Sequence, residues 1–308
     1  MGIVPHLHVA SSFSLRYGVA PPRALAERAA ELGMDLLALT DRDGVYGAVK
    51  HVRACRAAGV SPILGADLAF TAGPREPGST AEGRATALAV GGPGWRSLCR
   101  LVTAAHLAGE RGAPLADHRM LAERSEGLVV LLGPRSDVGR AVAERRYDDA
   151  ARLLAAWREH AEVAVEIVDH RGRGDTARAA RMLELARRSG VPAVLTNAVR
   201  YLDRTDVTAI QVLDAARKLV PLHRRHLEDT TGRAYLASAE ELWRIAEGVC
   251  GPDRAAVREL IEATRRLGER CAIDPFTDLG MGRAHLPEPV TEDGRAPHAE
   301  LVARCAAG

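Results

Sequence analysis

The sequence predicts an α/β protein built on a mostly parallel sheet, closed or nearly closed into a barrel of about seven strand–helix units. Three features carry that expectation. Apolar runs such as Leu36-Leu37-Ala38-Leu39-Thr40 are continuous rather than alternating, which marks strands covered on both faces. Segments with helical spacing of apolar residues lie between those runs, so successive strands are joined by crossovers. The composition, 308 residues of which 47% are hydrophobic and 27% charged, is that of an ordered chain with a sizeable core.

The elements follow in order. Val4 to Val9 reads as the first strand. Pro21 to Leu32 reads as a helix, with proline in its first turn and Gly33 just past its end. Leu36 to Thr40 is the next strand, Val45 to Ala58 a helix closed by Gly59, and Pro62-Ile63-Leu64 opens another strand. Further strands fall at Ala85 to Val90, Leu128 to Leu132, Val163 to Val168 and Ala193 to Thr196. The helices between them fall at Trp95 to His106, Asp148 to His160 and Thr176 to Ser189.

This pattern spans residues 1–218 and then changes. Residues 219–272 read as a loop and helical extension packing on the barrel: a polar loop carrying His223-Arg224-Arg225-His226, then helices at Ala239 to Glu247 and Arg254 to Cys271. Residues 273–308 read as an extended connector rich in Asp, Gly and Pro. Its closing helix, Ala299 to Cys305, stops almost as it begins, so the natural protein is expected to continue.

Composition excludes several classes. The 42 basic residues stand against 40 acidic ones, without the excess or cluster of a nucleic-acid-binding arm. Aromatics, at 4%, are too few for a surface that stacks single-stranded bases. No apolar run reaches the ~18 residues of a membrane span, and the N-terminus lacks the regions of a signal peptide. Cys55, Cys99, Cys250, Cys271 and Cys305 are scattered, which argues against a disulfide framework and for a reducing cytoplasm.

The sharpest chemical signal is His6-Leu7-His8. Alternation along a strand puts both imidazoles on one face. Asp41 ends the next apolar run, at the strand edge where a barrel places its functional residues. Two histidines and a carboxylate form a common zinc or manganese ligand set.

The run from His6 to Gly18, HLHVASSFSLRYG, resembles the opening of the PHP (polymerase and histidinol phosphatase) domain of C-family bacterial DNA polymerase III alpha subunits. Leu36 to Asp41 with Gly44 to Val49, and Ser61 to Asp67, are similar to that domain's second and third motifs. Gly94 to Leu101, Glu126 to Leu131, Val194 to Tyr201 and Leu267 to Ala272 continue the resemblance, which is nearest to the error-prone, DnaE-type branch. The resemblance implies a PHP-type distorted (βα)7 barrel with a small helical C-terminal extension. It also implies a larger protein that extends primers on a DNA template in replication or repair, with residues 273–308 leading toward a polymerase palm that this chain lacks. DNA, the palm and thumb domains, the sliding clamp and other accessory proteins are the partners it implies, and no membrane.

Metal-competent members of the family hold a trinuclear site. Here His6, His8, Asp41 and Asp67 (in place of a glutamate) remain as ligand candidates. Tyr17 replaces an acid, Arg42 a histidine, Ala85 a histidine, Pro134 a cysteine, and Ala198 and Arg200 an aspartate and a histidine. A fixed guanidinium charge repels a divalent cation. Arg42 and Arg200 are therefore expected to pair with Asp41 or Asp67 inside the old pocket. One weakly held zinc or manganese ion is the most such a set supports, and a catalytic centre is not expected. The alternative is an active metal-dependent phosphoesterase or 3′–5′ exonuclease on the same barrel.

Other features weigh less. Gly91-Gly92-Pro93-Gly94 lacks the Lys and Ser/Thr of a phosphate loop and reads as a turn before a helix. Trp157 and Trp243 read as core, and Ser11, Ser12 and Ser14 have no His–Asp arrangement for nucleophilic attack.

Overall fold

Pro22, in the first helical turn, opens α1 (Pro22–Glu31), and Gly59, at φ 72°, closes α2 (Ala48–Ala58) in the left-handed conformation. The computed structural model describes residues 3–71, 83–223, 226, 231–284, 294 and 296–307. Between and after those helices come β1 (Leu36–Arg42), β2 (Ser61–Thr71), β3 (Gly83–Ala89), α3 (Gly91–Ala108), β4 (Ala116–Asp117), α4 (His118–Ala122) and β5 (Leu128–Leu132). Then follow α5 (Asp137–Ala143), α6 (Tyr147–His160), β6 (Glu162–Ile167), α7 (Asp175–Ser189), β7 (Ala193–Leu195) and α8 (Val207–Lys218). The C-terminal part holds α9 (Ala239–Cys250), α10 (Arg254–Arg270) and α11 (Pro297–Ala307).

The described strands form one sheet in the order β1-β2-β3-β5-β6-β7, with β4 beside β2. It is less parallel than the strand–helix alternation suggests, because β3 runs antiparallel to both β2 and β5. Only residues 72–82 separate β2 from β3. That length falls short of the dozen or more residues that a parallel crossover requires, so the two strands pair antiparallel.

The first expected strand, Val4 to Val9, is not a regular strand. It makes single parallel bridges, His6 to Leu37 and Val9 to Val199. Ala38 N–H donates to His6 O (3.0 Å), and Val199 N–H donates to His8 O (2.9 Å). This segment thus lies between β1 and the chain after β7, joining the two ends of the sheet into a distorted barrel.

Alternate residues divide the core in two. Leu36, Ala38, Ile63, Leu88, Val129 and Leu131 point inward with Leu7, and Leu267 of α10 and Cys271 just past its end join that interior cluster. The outward residues of the same strands, among them Leu68, Ala87, Val130 and Leu132, pack beneath the surrounding helices with Trp157. The Thr264 hydroxyl of α10 accepts from Leu195 N–H at 2.8 Å. Arg265 pairs with Asp35, just before β1, and Arg270 with Glu162, the first residue of β6, so α10 closes the barrel at the N-terminal ends of the strands.

Gly91 to Gly94 form the first turn of α3 rather than a separate turn. A Cβ at Gly94 would collide with Gly127 O, so glycine lets α3 approach the loop before β5. Past α10, Ile273 N–H donates to Pro62 O (2.9 Å), and Asp278 Oδ1 accepts from Gly92 N–H (2.9 Å). Residues 273–281 therefore sit on the barrel before any connector begins. Residues 285–293 and the pair Arg224-Arg225 lie outside the described residues. No residue of α11 is buried, and no helix is long and apolar enough to cross a membrane among the described residues.

Candidate functional site: an arginine-lined barrel mouth

A cavity of about 470 Å³ opens at the C-terminal ends of the strands, opposite α10. β2 supplies Asp67, β3 supplies Thr86 and Arg84, β6 supplies Glu166, and the N-terminal segment supplies His8. A Cβ at Gly133, just after β5, would collide with Glu166 Oε2, so glycine leaves room for that carboxylate.

Asp67 is buried, and two guanidinium groups hold it. Arg84 Nε donates to Oδ2 at 3.0 Å, and Arg42 Nε lies 3.3 Å from the same oxygen. Burial alone would raise the Asp67 pKa, but Arg84, Arg42 and protonated His8 pull it below its ordinary value. The expectation that Arg42 pairs with Asp67 matches this geometry.

His8 Nδ1 lies 2.7 Å from Glu166 Oε1, which also accepts from the Thr196 hydroxyl at 2.6 Å. Burial pushes the His8 pKa down, yet the Glu166 carboxylate and then Asp67 outweigh it and lift the pKa to about 9. His8 therefore favours the imidazolium form, and a metal would have to displace a ring proton to bind it.

Tyr17 lies among the arginines. The Arg42 guanidinium carbon is 3.2 Å from its ring centroid, and that of Arg200 is 4.1 Å away. Burial raises the phenol pKa, but Arg135, Arg42 and Arg200 together hold it below its ordinary value. Residue 17 therefore accepts guanidinium groups on its ring instead of ligating a cation.

Three expected placements require correction. Arg200 pairs with neither Asp41 nor Asp67: its Nη2 and Nη1 grip Asp214 of α8 at 2.6 and 3.2 Å, in a fully buried bidentate contact. Asp214 follows Ile210 by one helical turn on the buried face of α8, which brings an acid to Arg200. Arg217 binds the same Asp214 oxygen at 3.0 Å.

Asp41 is held by an amide and two hydroxyls. It accepts from Ser11 N–H (2.7 Å), from the Ser11 hydroxyl and from the Ser14 hydroxyl (2.7 Å). Burial dominates these hydrogen bonds and raises its pKa. The loop after the N-terminal segment folds over the end of β1 and satisfies Asp41 locally, away from the cavity.

His6 also diverges from His8. Its Nε2–H donates to Ala237 O at 2.9 Å, and full burial lowers its pKa to about 4, the backbone bond opposing only partly. The irregular backbone of residues 4–9 breaks the alternation that would have aligned the two rings. On β3 the cavity-facing residue is Thr86, whereas Ala85 lies in the outer core.

These residues do not fit a divalent metal cluster. Asp67 is already engaged by arginines, His8 Nδ1 is engaged by Glu166, and His6 and Asp41 bind elsewhere. Among the described residues no three His, Cys, Asp or Glu side chains converge in a way that could hold a metal ion. No sequence motif marks Glu166, Arg84 or Asp214, although Glu166 and Arg84 lie among the apolar residues of their strands.

The fold and site define the class. The PHP domain model matches residues 6–170, and the chain belongs to that family. It is 34% identical over 283 residues to an error-prone DNA polymerase of Mycobacterium tuberculosis, a match covering 86% of this chain and 24% of that protein. It is 30% identical over 292 residues to the DNA polymerase III subunit alpha of Escherichia coli, covering 94% of this chain and 24% of that one. The chain thus spans about a quarter of the length of these relatives. Among solved structures, an amidohydrolase from Chromobacterium violaceum aligns with a TM-score of 0.44 at 17% identity, over 64% of this chain and 87% of that one.

Proposed function

We propose that this PHP domain serves an error-prone-type DNA polymerase as a structural module, with guanidinium groups occupying the place where other members of the family hold metals. The observation that carries this reading is the double engagement of Asp67 by Arg84 and Arg42. On this reading DNA synthesis belongs to the larger cytoplasmic protein, and this domain packs against its palm and thumb. The chain beyond residue 281 then leads on toward the palm, and contact with a sliding clamp or other accessory protein falls to the assembled polymerase.

The test uses the full-length polymerase that holds this domain. Asp67→Ala should lower its melting temperature while leaving primer extension per folded molecule unchanged. Neither protein should release nucleotides from a DNA 3′ end in zinc, manganese or magnesium. Metal-dependent release that His8→Ala abolishes would overturn the reading in favour of a live phosphoesterase.

A further inference from the structure

We infer that the groove between α1 and α2 docks an acidic amphipathic helix of a partner protein. The groove holds about 600 Å³ and shares no lining residue with the barrel mouth. Pro21 and Pro22 at the start of α1 and Ala54, Ala57 and Ala58 of α2 give it an apolar lining, and Phe13 joins them from the loop before α1. Large apolar side chains continue beside it. Val49, 55% exposed, stands one helical turn before Arg53 on α2, and Leu15, 81% exposed, follows Phe13 in the same loop. Exposed apolar groups gathered beside a groove mark a surface that another molecule covers.

The charges of the groove select its occupant. Arg23, Glu27, Lys50 and Arg53 are the charged residues lining it. Arg23 and Glu27 pair with each other at 2.7 Å. Lys50 and Arg53, both exposed on α2, have no carboxylate partner among the described residues, so the groove carries an excess of positive charge. The Lys50 ammonium lies 5.1 Å from the Phe13 ring centroid, so a cation already covers the aromatic face of the lining. A nucleic-acid base would need that face to stack on. A helix needs only the apolar lining and the two cations. α1 and α2 pack against each other, and a third helix laid between them meets both with its side-chain ridges in their grooves. Its apolar face then fills a volume equal to that of roughly twenty waters, while its carboxylates reach Lys50 and Arg53 at the rim. Docking here depends neither on the state of the barrel mouth nor on whether the domain serves a polymerase.

Fluorescence anisotropy of labelled probes, titrated with the chain, tests this assignment. The first probe is a helical peptide of about four turns with leucine along one face and glutamate elsewhere. The second carries lysine in place of the glutamates, and the third is a single-stranded oligonucleotide. Saturable binding of the acidic peptide is expected, weakening as salt is raised, with no comparable binding of the other two. The double variant Lys50→Glu, Arg53→Glu should weaken it about tenfold, and Ala57→Trp, which fills the groove, by a similar factor. All three positions are exposed, so both variants should keep the parent melting temperature. The double variant Arg254→Glu, Arg258→Glu makes the same charge change on α10 and should leave binding unchanged. The assignment is overturned if the acidic peptide does not bind, if the lysine peptide or the oligonucleotide binds as tightly, or if neither groove variant alters the binding.

Discussion

Arg84 grips Asp67 twice, through Nε to the carboxylate at 3.0 Å and through Nη2 to the backbone carbonyl at 2.6 Å. The same Nη2 reaches Asp43 Oδ1 at 2.9 Å. One side chain at the start of β3 thereby fixes the end of β2 and the turn after β1, and it holds the Asp67 carboxylate that could otherwise have served a cation.

Arg84→Met removes the better of the two partners of Asp67 and leaves Asp43 without an arginine. Breaking a buried pair from one side typically costs about 3 to 5 kcal/mol. Arg84 is partly solvated, so the expected loss is toward the lower end, read by urea denaturation. The double variant Arg84→Met, Asp67→Leu should recover part of it.

Asp41→Ala should also destabilise the fold, for a reason different from arginine pairing. It strands the Ser11 amide and two hydroxyls that now donate to the carboxylate. Hydrogen bonds to a charged group are worth about 1.5 to 3 kcal/mol each. Asp41→Asn, which keeps one acceptor oxygen, should lose less. Added salt should barely change the difference, because no ion pair is involved.

His8 predicts a stability loss on the alkaline side. Its folded pKa of about 9 lies above the unfolded value near 6.5. Its contribution is therefore full below pH 6.5 and disappears as the pH rises through about 9. His6 and His51, both pushed down to about 4 chiefly by burial, act oppositely: their contribution holds above pH 6.5 and is lost as the pH falls toward 4. Denaturation midpoints measured across this range should show the alkaline decline in the parent chain and a flatter profile in His8→Gln.

Ala198 follows β7 with φ 40°, a conformation that costs a residue bearing a Cβ of order 1 kcal/mol or more. Ala198→Gly should relieve that strain and offset the greater freedom of an unfolded glycine. The expected result is unchanged or slightly raised stability, whereas Ala→Gly within the helix at Ala179 should lower it by about 1 kcal/mol.

Much of this architecture was legible in the sequence, because long elements carry strong periodicity. Leu128–Leu132 is a strand over the five residues expected, and the helices at Asp148 to His160 and Thr176 to Ser189 shift by a single residue. The antiparallel β2–β3 pair was not foreseen. Its signal was the stretch 72–82, with Gly73, Pro74, Pro77 and Gly78, which is too short and too rich in helix breakers for a crossover helix. The His6–His8 pairing failed because alternation holds only in a regular strand, and this segment makes single bridges.

At the site, the motif comparison identified the replaced positions but not the new partners. The expectation that arginine at positions 42 and 200 is incompatible with a trinuclear cluster rests on residue type alone. That Arg200 turns to Asp214 depends on how α8 packs, a tertiary fact that no local pattern carries. Glu166 was readable in principle. It is a lone carboxylate between Val165 and Ile167 on a buried strand, on the inward face opposite theirs.

Metal content is the most direct measurement of the central claim that guanidinium groups occupy the metal position. Elemental analysis of the purified chain, after exposure to zinc and manganese and mild dialysis, should find well below one equivalent of either. Two or three equivalents of retained zinc or manganese would contradict the account.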